Sequence, residues 1–179
     1  MARLGTFPAR LQRAMHVLHA RRSGMAKPIT GLVSQPEPRS IGSFAKGRQL
    51  AAGNLMFAGH LIEAPNAMIW DIDAPDLAFA EEIHGFAWMD DLAAVGDTNA
   101  RKTAQEWLFG WIDRYDTGRG PGWIPDLTGR RIIRWVHHAN FLAARTITRR
   151  PRPILPRLGS AIDFLIQTMG QFYTRIATI

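Results

Sequence analysis

A mainly α-helical chain, with its helices paired as antiparallel hairpins, is what the sequence predicts. Between residues 76 and 144, successive segments carry apolar side chains at helical spacing, with capping residues at their starts and Gly or Pro between them. Residues 54–63 lose that period between Gly53 and Pro65, which predicts one or two short strands. The large aromatic side chains are concentrated between Phe44 and Phe141, so the core is expected in the middle of the 179-residue chain.

Taken in order, Pro8 to Arg22 places Leu11, Met15 and Leu18 along one side and reads as a first helix. Lys27 to Ser43 holds Pro28, Gly31, Pro36, Pro38 and Gly42, a density of breakers that predicts an extended arm. A short helix is expected over Phe44–Ala52, then the strand or hairpin, then a loop over Pro65–Pro75 holding Trp70, Asp71 and Asp73. Asp76 is placed to cap one helix that runs through Phe79, Ile83, Phe86, Trp88 and Leu92 to a stop at Gly96.

Asp97 or Thr98 opens the clearest amphipathic helix, with Ala100, Ala104, Trp107, Leu108, Trp111, Ile112 and Tyr115 on one stripe. Trp107 and Trp111 are therefore expected in the core. After the Gly/Pro-rich loop Gly118–Pro125, a cap at Asp126 or Thr128 leads into a helix bearing Ile132, Trp135, Val136 and Ala139. The organisation that follows is a helix and Pro-rich arm over residues 1–43, a helical body over 44–144 and a basic, Pro-rich tail over 145–179.

The net charge of +7 divides into +8 over residues 1–53, −9 over 54–128 and +8 over 129–179. Phosphate neutralisation calls for cations on the folded face, and here the best-folded stretch is acidic, so no nucleic-acid partner is expected. The absence of cysteine excludes disulfides, thiolate metal sites and cysteine nucleophiles. Arg3, Arg10, Arg13, His16 and His19 interrupt any signal-like apolar run, and no stretch reaches the ~18 apolar residues that span a bilayer. A cytoplasmic product without membrane insertion is the expectation.

Phosphate loops, nucleophile elbows, zinc-binding helix motifs and calcium loops are missing from the sequence. His137 and His138 are neighbours on a helix and point about 100° apart, a poor geometry for one metal ion. Asp90-Asp91 has the same geometry and is expected to be a solvated acidic turn. No cofactor or metal is assigned. Trp123 stands in a Gly-rich loop with no helical stripe to join, which leaves ligand contact and loop anchoring equally open.

Four ordered blocks, Phe44 to His60, Trp70-Asp71, His84 to Leu92 and Gly129 to Trp135, resemble the N-terminal helical region of heparinase II/III-like polysaccharide lyases. The resemblance implies part of an incomplete α/α toroid, taken from a parent that cleaves uronic-acid polysaccharides by β-elimination, is periplasmic as the alternative location and takes an acidic polysaccharide as partner. The Asn, Tyr and His that serve as catalytic groups in that family lie in segments with no counterpart here, so no catalytic residue is assigned. Trp123, Arg131 and Trp135 are what the resemblance places at the start of a sugar-binding cleft, with helix packing as the alternative. Where the family continues with another helix, this chain has Arg145 to Pro153 and an uncharged run. With suitable codons, Pro153 to Gly170 back-translated and read one nucleotide later gives LFYRALARQSTFLSRRW, which fits the missing helix. The expected product is an inactive N-terminal fragment with a frameshifted, non-native tail from about residue 145. Two readings from other classes stand beside it: a small helical adaptor or nucleic-acid-associated protein using its basic ends, and a small carbohydrate-binding module built on Trp123.

Overall fold

The computed structural model describes residues 38, 40–65, 67–115 and 120–143. The expected first helix, most of the arm and the whole 145–179 tail lie outside the described residues. Within them the protein is mainly helical, with one two-stranded antiparallel sheet.

Helix α1, Phe44–Ala51, starts where the Ser43 hydroxyl accepts a hydrogen bond from the Lys46 N–H. Its contact face carries Gly47 and Leu50, and the missing side chain lets α1 lie on the backbone of helix α3, introduced below. A Cβ on Gly47 would stand 2.1 Å from the Asp91 carbonyl oxygen, and one on Gly42 2.0 Å from that of Asp90.

Strands β1, Asn54–Phe57, and β2, His60–Glu63, pair from Asn54↔Glu63 to Phe57↔His60. Both loop residues, Ala58 and Gly59, have positive φ, as a two-residue hairpin turn with the twist of its strands requires. Alanine is an unusual choice there, and its N–H is held by the Glu82 carboxylate. The hairpin buries Leu55 and Phe57, the latter edge-on to Phe79 at 5.4 Å.

The expected single helix from Asp76 to Gly96 is two helices. Asp76 caps the first as predicted, accepting from the Phe79 N–H at 2.8 Å, and α2 spans Leu77–His84. The chain then turns through Gly85 and Phe86, the latter left-handed at φ 62°, before α3, Ala87–Val95, ends at Gly96. The corner has a packing cause: Phe86, Trp88, Met89 and Leu92 are all 0% exposed. A continuous helix distributes four such consecutive-turn side chains around its axis, whereas the corner turns them into one core.

Helix α4, Thr98–Tyr115, carries the predicted stripe with Trp107 and Trp111 buried, and the Asp97 carboxylate accepts from the Ala100 N–H at 2.7 Å. Helix α5, Pro125–His137, begins differently from expectation. Ile124 is its cap residue and Pro125 its first position, while Asp126 pairs with Arg130 along the surface and Thr128 is buried. Helix α6, Ala139–Ala143, lies on α4, where Gln105 and Arg101 donate to the carbonyls of Leu142 and Phe141. No helix among the described residues is long and apolar enough to cross a membrane.

Two substitutions probe this packing. Trp107→Ala should cost on the order of 3–5 kcal/mol in urea denaturation, as for a large aromatic lost from a core; an unchanged unfolding midpoint would show that the stripe is not core. Gly47→Ala sets a helix-propensity gain of roughly 1 kcal/mol against overpacking of ~1–3 kcal/mol. Because the obstacle is backbone of α3, the second effect should win, and a more stable Gly47→Ala protein would refute the close approach of α1 to α3.

Candidate functional site

The chemistry-bearing residues named from the sequence converge on the α2–α3 corner. Trp70, in the short 3-10 turn Ile69–Asp71, is 5.4 Å from the His84 ring and 5.8 Å from Phe86. Its indole N–H donates to the Trp107 carbonyl at 2.6 Å. On α5 the row Leu127, Arg131, Trp135 recurs every four residues, and all three are buried against the corner.

Arg131 is 0% exposed. Its guanidinium carbon lies 4.0 Å from the Trp111 ring centre, 5.4 Å from that of Trp123 and 5.9 Å from that of Trp135. Nη1 donates to the carbonyls of His84 (3.2 Å) and Gly122 (3.0 Å), and Nη2 to the Thr128 hydroxyl at 3.4 Å. Burial pushes its pKa down to about 9, so it stays charged at neutral pH. The sequence resemblance placed Arg131 and Trp135 at a cleft; in the structure both are enclosed, and neither reaches solvent. Trp123 is half-buried. Its indole N–H donates to the Tyr115 carbonyl at 2.8 Å, and its ring is 5.6 Å from Trp111, so the loop is anchored through this residue.

His84, given no role of its own in the sequence analysis beyond opening one of the four blocks, is central. Its Nδ1 accepts from the Trp111 indole N–H at 3.1 Å. Since an indole only donates, that nitrogen must be unprotonated. Burial, and then the positive charge of Arg131, push the His84 pKa from 6.5 down to about 4.

A second cluster corrects the reading of Asp90-Asp91 as a solvated turn. Asp90 is 7% exposed and accepts from His138 Nε2 at 2.7 Å, Arg134 Nε at 3.0 Å and the Ser40 hydroxyl at 3.0 Å. Burial alone raises its pKa, but the His138 hydrogen bond, the charge and hydrogen bond of Arg134 and the Ser40 hydroxyl together hold it below the usual carboxylate value. Asp91 accepts from the Ser43 N–H at 2.7 Å. His138 is thus engaged by Asp90 through a hydrogen bond, and no group of three or more His, Asp or Glu among the described residues could hold a metal ion. The signal for Asp90 was weak, because its partners lie 44 to 50 residues away. Arg131 left a clearer one, a cation in the middle of an i, i+4 apolar row.

Comparison with known proteins yields one distant likeness of note. FtsZ-localized protein C of Caulobacter vibrioides (strain NA1000 / CB15N) is 29% identical over 116 residues, which are 64% of this chain and 20% of that protein. The chain therefore spans about a fifth of that relative's length. No family model matches the chain, and no solved structure matches it.

The His84 geometry predicts an acid-sensitive fold. Its folded-state pKa lies below the ordinary value, so its contribution is complete above pH 6.5 and is lost as pH falls toward 4. The loss should amount to about 3 kcal/mol, from the size of the shift at 1.36 kcal/mol per unit. Unfolding free energies measured from pH 7 to 4 should fall steeply for the natural chain and much less for His84→Asn. Equal slopes for the two proteins would remove His84 as the cause.

Proposed function

We propose that residues 44–143 are the opening helical hairpins of a heparinase II/III-like α/α toroid, acting as a packing scaffold within a larger protein whose reaction class is β-elimination of uronic-acid polysaccharides. The carrying observation is the convergence of the blocks behind the resemblance. Trp70, His84, Phe86, Trp88 and Trp135, scattered through the sequence, are joined by ring contacts, and Arg131 is tied to them through the His84 carbonyl and the Trp135 ring. Phe44 to Ala51 lies through Gly47 on α3, the helix that leaves this corner. Side chains committed in this way to one another hold architecture, and a fold likeness of this kind licenses a reaction class for the parent and nothing finer.

A second reading, a helical adaptor, gains support from the likeness to FtsZ-localized protein C, whose name places that protein with FtsZ. Within that reading a protein partner is favoured over nucleic acid. Arg48, Lys102, Arg114, Arg130 and Arg134 each pair with a carboxylate of the chain, so their charge is already answered before any phosphate arrives.

One set of measurements separates the two. On the scaffold reading the purified chain should produce no unsaturated-uronate absorbance from heparan, alginate or hyaluronan, should not sediment with FtsZ polymers, and sequencing beyond the Arg145 codon should uncover an open frame that continues with LFYRALARQSTFLSRRW. Lyase activity would overturn its non-catalytic part, and absence of that frame its frameshift part. Salt-resistant co-sedimentation with FtsZ would put the adaptor reading in its place.

A further inference from the structure

We propose that Arg131 and Trp135 form an internal binding site for a carboxylate. The two arginines flanking Arg131 on α5 have acidic partners, Arg130 with Asp126 and Arg134 with Asp90. Arg131, more deeply buried than either, pairs with no carboxylate among the described residues. A cation withdrawn from water is stable only where something offsets its lost hydration, and carbonyls and ring faces do so without supplying an opposite charge.

Two unused donors mark where the anion belongs. Arg131 Nε and Trp135 Nε1 are both buried and have no hydrogen-bond partner among the described residues. The contrast with the neighbouring indoles is informative, because Trp70, Trp88, Trp111 and Trp123 all donate to an acceptor. Trp135 lies one turn beyond Arg131 in the same i, i+4 row, so the side chains that carry the two orphaned N–H groups share one face of the helix. One positive charge and two donors match the one charge and two oxygens of a carboxylate. Phosphate brings additional oxygens and further charge that the surrounding rings cannot answer, and chloride brings a single acceptor atom.

Both nitrogens are closed to solvent, so entry requires displacement of a neighbour. The Gly122 carbonyl holds Nη1, which leaves Nε and the Trp135 indole N–H as the donors that a carboxylate would take. The site does not depend on the lyase reading, since a free carboxylic acid and a polymer-borne uronate offer the same group.

The test is the melting temperature and tryptophan fluorescence of the full chain in acetate, glucuronate, chloride and phosphate at matched ionic strength. A saturable rise in melting temperature with acetate or glucuronate, and not with chloride or phosphate, is expected. A response to acetate assigns a free acid, and one confined to glucuronate assigns a sugar-borne carboxylate; both support the site. Trp135→Phe should weaken the apparent affinity about tenfold by removing one hydrogen bond to a charged group, and Arg131→Met should abolish it. If Arg131→Met fails to fold, the Trp135→Phe protein and the anion series decide. An equal rise in every salt, no saturable rise in carboxylate, or an affinity unchanged by Trp135→Phe overturns the proposal.

Discussion

A single buried cation sets the terms for the rest of this fold. Arg131 draws together the end of α2 through the His84 carbonyl, the Gly-rich loop through the Gly122 carbonyl and the start of α5 through Thr128, while Trp111 presents its face from α4. Each of these contacts partly replaces water, and none can be given up cheaply, because a guanidinium stripped of partners costs far more than an apolar side chain left loose. Burial first, and then the same charge beside it, keep His84 neutral, which frees Nδ1 to accept from Trp111. Indole, imidazole and guanidinium are thus linked in one buried cluster.

The opposite charge is handled in the opposite way a few residues along. Asp90 is nearly as buried, but its oxygens are answered by His138, Arg134 and Ser40, which tie the arm before α1 and the end of α5 to α3. Arg134 also donates to the Gly85 carbonyl at 2.9 Å, so the α2–α3 corner is gripped from α5 by two successive turns. That grip explains how Phe86 tolerates a left-handed backbone, a strain of order 1–3 kcal/mol. Full burial of a phenylalanine contributes about 1.5–3 kcal/mol, and its ring contacts with Trp88, Trp111 and Trp135 add to that.

What the sequence made legible follows the range of the interaction. The cap at Asp76, the stop at Gly96, the Asp97 start and the α4 stripe are decided within a few residues, and all appear where local rules place them. The hairpin over 54–63 was visible as a loss of helical period, although its Ala58-Gly59 turn depends on Glu82 from another element. The break at Gly85-Phe86 was hidden because the apolar pattern continues across it, and only the competition among four large side chains for one core reveals a corner. Asp90 failed for the same reason: a pair of adjacent aspartates looks solvated until partners more than forty residues away close over one of them. Trp123 could be judged to a coin-toss and no further, since anchoring by the Tyr115 carbonyl is a tertiary fact.

This division between local and distant bears on function. A resemblance carried by Trp70, His84, Phe86, Arg131 and Trp135 is carried by residues that face one another, and such residues repeat wherever the same packing problem is solved. They are therefore informative about architecture and nearly silent about chemistry. The likeness to about a fifth of FtsZ-localized protein C has the same character, because a segment of that size can be shared as scaffold between proteins with different tasks. The two features that packing does not account for are the charge on Arg131, which meets no carboxylate among the described residues, and the buried N–H groups of Arg131 and Trp135, which meet no acceptor there. An architecture needing only to be stable could place a methionine or leucine at that row position, between Leu127 and Trp135, and avoid the desolvation altogether. Keeping an arginine there makes sense if the positive charge is used, and the part of this core most in need of a binding partner is thus also the part least explained by folding.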